Sequence, residues 1–310
     1  VNKLPFYHEP VLAQEVLHYL LINPDGIYYD GTLGGGGHAL LFLQKLTSQA
    51  LYIGVDRDEQ ALEYARRRLS AFHNVVYYHG LYNDIGSALQ AANCSRPDVI
   101  FLDLGVSSHQ INSDQRGFAF RPHIALDMRM DREQALTAAD ILAEYEEKDL
   151  IRIFKEYGEE RHSRRIARVI VRQRSEKPLR FSDDLISVIE RCVPGKQKIK
   201  SYARIFQALR IEVNRELDIL KEALEQGLNY LKPGGRMGVI SYHSLEDRMV
   251  KNFFKEQENP CTCPPELPVC VCGKQPRLKR LRPWLIIPTE EEIKKNPRAR
   301  SAKFRVGEKL

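Results

Sequence analysis

The chain has 310 residues, of which 43% are hydrophobic and 28% charged. That is apolar content enough for a packed core and, at about 100–200 residues per domain, length enough for two domains. No run approaches the roughly 20 apolar residues that a membrane span requires, and the opening residues carry His8 and Glu9 where an export signal would be apolar, so a cytoplasmic location is expected. The net charge of +6 and a pI near 8.9 admit a polyanionic partner without requiring one.

In chain order, residues 27–30 form a short β-rich run that enters a glycine cluster, and residues 39–46 have helical spacing. Residues 51–56 (LYIGVD) predict a buried strand, residues 59–72 a helix, 75–79 a strand, 82–92 a helix and 98–104 (DVIFLDL) a fourth strand. Strands separated by helices of about 10–15 residues imply βαβ units and a parallel sheet. From residue 112 to 215 the pattern changes to helices with no convincing strand. Thr137 and Asp140 have the spacing of a capping box, and residues 149–157, 161–174 and 183–192 follow as further helices. One uninterrupted helix is predicted from 202 to 231, ended by Pro233-Gly234-Gly235. Residues 236–242 are strand-like again, 245–256 helical, and 302–306 suit a last strand. The chain therefore reads as an α/β domain, 1–111 and 216–310, interrupted by a helical insertion, 112–215.

Chemistry concentrates at strand ends. Asp30 opens the turn Asp30-Gly31-Thr32-Leu33-Gly34-Gly35-Gly36-Gly37-His38, where glycines let the backbone turn tightly and approach a ligand. Asp56 ends the next strand, where a carboxylate can accept from both hydroxyls of an adenosine ribose, and Asp103 ends the fourth. Gly34, Gly36 and Ala39 also satisfy a loose G-x-G-x-x-A dinucleotide pattern. Against an NAD enzyme, a helical insertion stands where a second nucleotide-binding half would be. Cations gather in three places: Arg161, Arg164, Arg165, Arg168, Arg172 and Arg174; Lys274 to Arg282; and Arg298, Arg300, Lys303 and Arg305. Three clusters favour a polyanion, because each phosphate contact adds affinity through counterion release. Cys261-x-Cys263 and Cys270-x-Cys272 are paired C-x-C motifs that could hold a structural zinc, or could lie in a proline-rich loop with reduced thiols.

Longer motifs carry a resemblance. Asp103-Leu104-Gly105-Val106-Ser107-Ser108-His109-Gln110, Leu126-Asp127-Met128-Arg129-Met130-Asp131, Tyr157-Gly158-Glu159-Glu160-Arg161 and Ser241-Tyr242-His243-Ser244-Leu245-Glu246-Asp247-Arg248 occur in order. With His8-Glu9-Pro10 and Asn296-Pro297-Arg298, they cover nearly the whole chain and resemble the RsmH (MraW) family. That resemblance implies a class I (Rossmann-like) methyltransferase sheet with an inserted all-helical domain. It implies S-adenosylmethionine as cofactor and N4-methylation of a cytosine in the decoding region of small-subunit (16S) ribosomal RNA. It also implies Gly36, Gly37, His38, Asp56, Tyr82, Asp103 and Gln110 as cofactor contacts, with Tyr82 standing where a phenylalanine is expected.

A cytosine amine is a poor nucleophile, and an acceptor for its N–H groups would raise its electron density. Asp103 is the candidate catalytic residue, although many amino-methyltransferases carry Asp/Asn-Pro-Pro-aromatic here and this chain carries Asp103-Leu104-Gly105-Val106. Ser107, Ser108 and His243 are weaker candidates for base contacts. Methylation at carbon 5 would need a cysteine nucleophile, and none follows the fourth strand. A non-catalytic RNA-binding or ribosome-assembly protein that keeps the cofactor pocket is the alternative from another class.

Overall fold

A computed structural model describes residues 10–105, 116–118, 120–121, 123–264 and 271–310. Its packing divides the chain into two compact units, residues 1–105 with 218–310, and residues 106–217. The second crossing lies inside the helix Glu216–Tyr230.

The first unit is built on a sheet of seven strands among the described residues: β1 Ile27–Asp30, β2 Leu51–Asp56, β3 Val75–His79, β4 Val99–Asp103, β5 Arg236–Ser241, β6 Leu278–Arg280 and β7 Lys303–Lys309. Their spatial order is β3-β2-β1-β4-β5-β7-β6. β3, β2, β1, β4 and β5 run parallel, and β7 is antiparallel to both of its neighbours. This is the class I methyltransferase sheet. A dinucleotide fold would continue with a parallel half in the order 3-2-1-4-5-6, and the reversed β7 stands in its place. The carboxyl ends of β1, β2 and β4 therefore share one rim and carry Asp30, Asp56 and Asp103.

Alternation along the strands explains the two cores. Tyr28, Tyr52, Phe101 and Ile240 face one side with Val16, Leu20, Phe42 and Leu62. Tyr29, Ile53, Ile100, Leu102 and Val239 face the other with Ile85, Leu224, Leu228 and Phe254. A parallel sheet covered on both faces needs near-continuous apolar strands, which is what LYIGVD and DVIFLD supply. The helices of its first segment, among the described residues, are α1 Ala13–Leu20, α2 Gly37–Leu43, α3 Glu59–Arg68 and α4 Ile85–Ala91.

The second unit has a core of its own, with Leu142, Leu150, Phe154, Ile166, Ile170, Leu185, Ile189 and Leu209 all fully buried. Its helices are α5 Ala138–Glu144, α6 Glu147–Glu156, α7 Ser163–Arg174, α8 Ser182–Cys192 and α9 Lys198–Asn214. Thr137 and Asp140 do form a capping box at the start of α5, which satisfies two backbone donors reciprocally.

The predicted single helix over 202–231 is two helices, α9 and α10 (Glu216–Tyr230). They are separated at Arg215, whose φ of 50° is left-handed. Asn214 explains the break. It is 2% exposed, its Oδ1 accepts from the Met130 amide at 2.9 Å, and its Nδ2 donates to the carbonyls of Met128 and Arg210, each at 2.8 Å. The side chain that could have pointed outward from a continuous helix is instead committed to the segment 128–130. The remaining helices are α11 Ser244–Glu258 and α12 Glu290–Lys295. Among the described residues no helix is long and apolar enough to cross a membrane.

Candidate active site

The site begins with Asp30, 1% exposed at the end of β1. Its Oδ1 accepts from the Thr32 amide at 3.0 Å and its Oδ2 from the Tyr52 hydroxyl at 2.9 Å. Burial pushes its pKa up to about 6, against the pull of those two donors. Thr32 in turn accepts from the Asp103 amide through Oγ1 at 2.6 Å, so the turn after β1 is tied to the end of β4. Gly31 lies where the chain passes close to its surroundings: a Cβ there would meet Leu102 Cδ2 at 2.5 Å and Tyr82 Cβ at 2.7 Å. Tyr82 is thereby set beside the glycine turn, and its carbonyl accepts from the Tyr29 hydroxyl at 3.0 Å.

Asp56 closes the other side of the turn. Its Oδ2 accepts from the Gly34 amide at 2.7 Å and its Oδ1 from the Asp58 amide at 2.9 Å. Gly34 and Gly36 have φ of 51° and 71°, which a side chain would strain. Surrounding protein raises the Asp56 pKa to about 6, yet part of the residue stays open. Each carboxylate oxygen keeps a second lone pair, so both can still accept from a ligand.

Gly36 caps α2, Gly37 begins it and His38 follows. His38 is 7% exposed, with its ring edge-on to Phe101 at 4.9 Å between centroids. Among the described residues neither ring nitrogen has a hydrogen-bond partner, and Nε2 is 3.5 Å from Asp103 Oδ2. Buried polar atoms are nearly always satisfied, so a buried imidazole with unmet nitrogens at a glycine turn points to a ligand that completes it. Asp103 is oriented from the opposite side by the Tyr242 hydroxyl, which donates to Oδ1 at 2.8 Å. Burial and the neighbouring Asp103 hold the Tyr242 pKa well above that of an ordinary tyrosine, so it remains a donor.

The rim thus brings together Gly36, Gly37, His38, Asp56, Tyr82 and Asp103. Gln110, Ser107 and Ser108 lie outside the described residues. Sequence reasoning assigned no role to Thr32 or Tyr242; Tyr242 was visible only as part of the Ser241–Arg248 motif, because the pairing of β4 with β5 is what places it beside Asp103.

His243 has a structural task. It precedes α11, its Nδ1 accepts from the Glu246 amide at 3.4 Å, and Glu246 Oε2 accepts from the amides of Tyr242 and His243.

The sequence matches the MraW methylase family over residues 5–310. The chain belongs to that family. A Heliobacterium mobile protein named ribosomal RNA small subunit methyltransferase H is 49% identical over 312 residues, covering 99% of this chain and all of the relative. A protein of the same name from Clostridium botulinum (strain Loch Maree / Type A3) is 46% identical over 309 residues, with 99% and 100% covered. Among solved structures, an rRNA methylase from Streptococcus thermophilus aligns with a TM-score of 0.42 at 13% identity, over 96% of this chain and 93% of that one.

Membership of the MraW family directs attention to the basic clusters, and the structure sorts them. Arg174 donates to the carbonyls of Leu142 and Tyr145 at 3.0 and 2.7 Å, and Arg165 to that of Arg191 at 3.2 Å. Lys303 and Arg305 both hold Asp247, at 3.0 and 2.7 Å, and Arg280 holds Glu258. These cations are engaged within the fold, Arg174 and Arg305 most fully. Arg161, Arg164 and Arg172 are exposed and make no ion pair among the described residues.

Proposed function

We propose that this chain is an S-adenosylmethionine-dependent methyltransferase that acts on the N4 amine of a cytosine in the decoding region of small-subunit ribosomal RNA. The observation that carries it is the rim at the ends of β1, β2 and β4, where a glycine turn, two partly open carboxylates and a buried histidine with no hydrogen-bond partner among the described residues converge within the MraW family fold. The donor set suits the cofactor. Asp56 can accept from a ribose diol, Tyr82 can pack on adenine, and the turn with His38 offers polar groups to the methionine end. When bound, S-adenosylmethionine supplies a methyl group on a positively charged sulfur, a reactivity the protein need not create.

The protein's own contribution is orientation and charge. Asp103 Oδ1 is held by Tyr242, leaving Oδ2 as the acceptor for an N–H of the target amine or of the cofactor. Accepting from the amine would return electron density to a nitrogen whose lone pair is delocalised, and would stabilise the cation that develops as the methyl is transferred. The amine then loses one proton. The exposed Arg161, Arg164 and Arg172 would contact phosphates. Residues 1–111 with 216–310 would hold the cofactor, and residues 112–215 would be the helical insertion.

The test incubates labelled S-adenosylmethionine with small ribosomal subunits from a strain lacking this gene, followed by nucleoside analysis. Label on cytosine N4 is expected. Label on carbon 5 would overturn the chemistry. RNA binding with no label from a folded preparation that binds the cofactor would favour the non-catalytic alternative.

A further inference from the structure

The connection between α11 and β6, residues 259–277, contains no helix or strand among its described residues. It nevertheless brings three cysteines to one point. The sulfur atoms of Cys261, Cys263 and Cys272 all lie within 4.8 Å of one another. Cys261 and Cys263 come from the outgoing half of the connection and Cys272 from the returning half. Cys261 is exposed and the other two are half-buried, so burial in an apolar core is not what gathers them. The Val271 amide points at Cys263 Sγ, 3.4 Å away, and links the halves. We infer that Cys261, Cys263 and Cys272 are ligands of a structural zinc ion that clamps this connection.

The dimensions fit. Tetrahedral zinc with Zn–S bonds of about 2.3 Å places sulfurs about 3.8 Å apart, so the cluster needs to contract by less than about 1 Å. A disulfide would engage only two of the three, whereas a zinc ion would bind all three as thiolates. An amide aimed at a ligating sulfur is the hydrogen bond that orients such ligands and tempers their charge. The chain carries a further thiol, Cys270, outside the described residues. The clamp would act on the sheet edge. Just beyond it the Arg277 amide donates to the Gln257 carbonyl at 2.9 Å, and Leu278 begins β6, which pairs with β7. Closing a loop by metal before a three-residue strand reduces the entropy lost when that strand pairs. This inference is independent of the methyl-transfer chemistry.

The experiment uses the full chain, without a histidine tag, purified under reducing conditions and dialysed. Metal analysis should find about one zinc per chain, and Cys263→Ser and Cys272→Ser should each retain less than about a tenth of it. Because a variant could lose metal by misfolding, the parent protein is also stripped and titrated with Co²⁺. Sulfur-to-cobalt charge-transfer absorption with tetrahedral visible bands is expected. Zinc retained undiminished in the Cys263→Ser/Cys272→Ser double variant would overturn the site, and so would a parent protein that retains no zinc and shows no thiolate–cobalt absorption.

Discussion

The carboxyl rim of the sheet and the helical unit treat charge in opposite ways. In the core-facing parts of the helical unit several acids and bases neutralise one another at short range. Arg129 binds Asp127 at 2.8 Å, Arg210 binds Glu216 at 2.8 Å, and Arg152 reaches Glu212 at 3.2 Å. At the rim, Asp30, Asp56 and Asp103 have no Lys or Arg partner among the described residues and are held by amides and hydroxyls. Desolvated carboxylates are costly, and the raised pKa values of Asp30 and Asp56 express that cost, which at Asp56 outweighs the opposing pull of the neighbouring Arg57. Paired charge marks architecture here, whereas unpaired charge at strand ends marks chemistry.

The largest effect that would sharpen this contrast is on turnover. Asp103→Asn keeps an oxygen for the Tyr242 hydroxyl but removes the negative charge, so methyl transfer should fall by about 100-fold while the melting temperature stays near that of the parent. A matching loss of S-adenosylhomocysteine affinity, measured by calorimetry, would instead assign Asp103 to the cofactor alone.

In the helical unit the expected change is in stability. Arg210→Ala leaves Glu216, 8% exposed, without its guanidinium, and should cost about 2–3 kcal/mol in denaturant unfolding. A change below about 0.5 kcal/mol would break the distinction between the two regions.

Asp56 should reveal itself through pH. The ionised form accepts ribose hydroxyls on both oxygens, so affinity for S-adenosylhomocysteine should be lost as pH falls through about 6, and Asp56→Asn should flatten that profile. Without ligand the sign reverses. A carboxyl with a raised folded pKa binds more protons when folded than when unfolded, so Asp30 and Asp56 together should make stability decline as pH rises from about 4 to about 6. Unfolding measured across that window on the parent and on Asp56→Asn checks it.

The smallest effect belongs to the exposed arginines. Arg172→Ala should leave stability within about 0.5 kcal/mol, yet lower the slope of log affinity for ribosomal RNA against log salt by about 1. Arg174→Ala, which removes a clamp on two carbonyls, should do the reverse.

The βαβ rhythm was legible because buried parallel strands are apolar runs with few alternatives, and β1, β2 and β3 occupy the predicted residues. The glycine turn, Asp56 and Asp103 were legible because strand ends are visible as the residues where such runs stop. α1 was overlooked because only Val16 and Leu20 among its eight residues are buried. β6 was overlooked because three residues cannot display a period, and Leu278 joins the sheet only through β7.

By itself the sequence determined the parallel core, the acidic strand ends and the family, since these rest on local runs of residues whose physical requirements are met within a few positions. Only the tertiary structure decided that Tyr242 orients Asp103, that Asn214 breaks a helix, and that Arg305 and Arg174 belong to the fold while Arg172 stays exposed. Each of those depends on partners far away in the chain, and residue type alone cannot say which hydrogen bond a side chain will choose when several are within its reach.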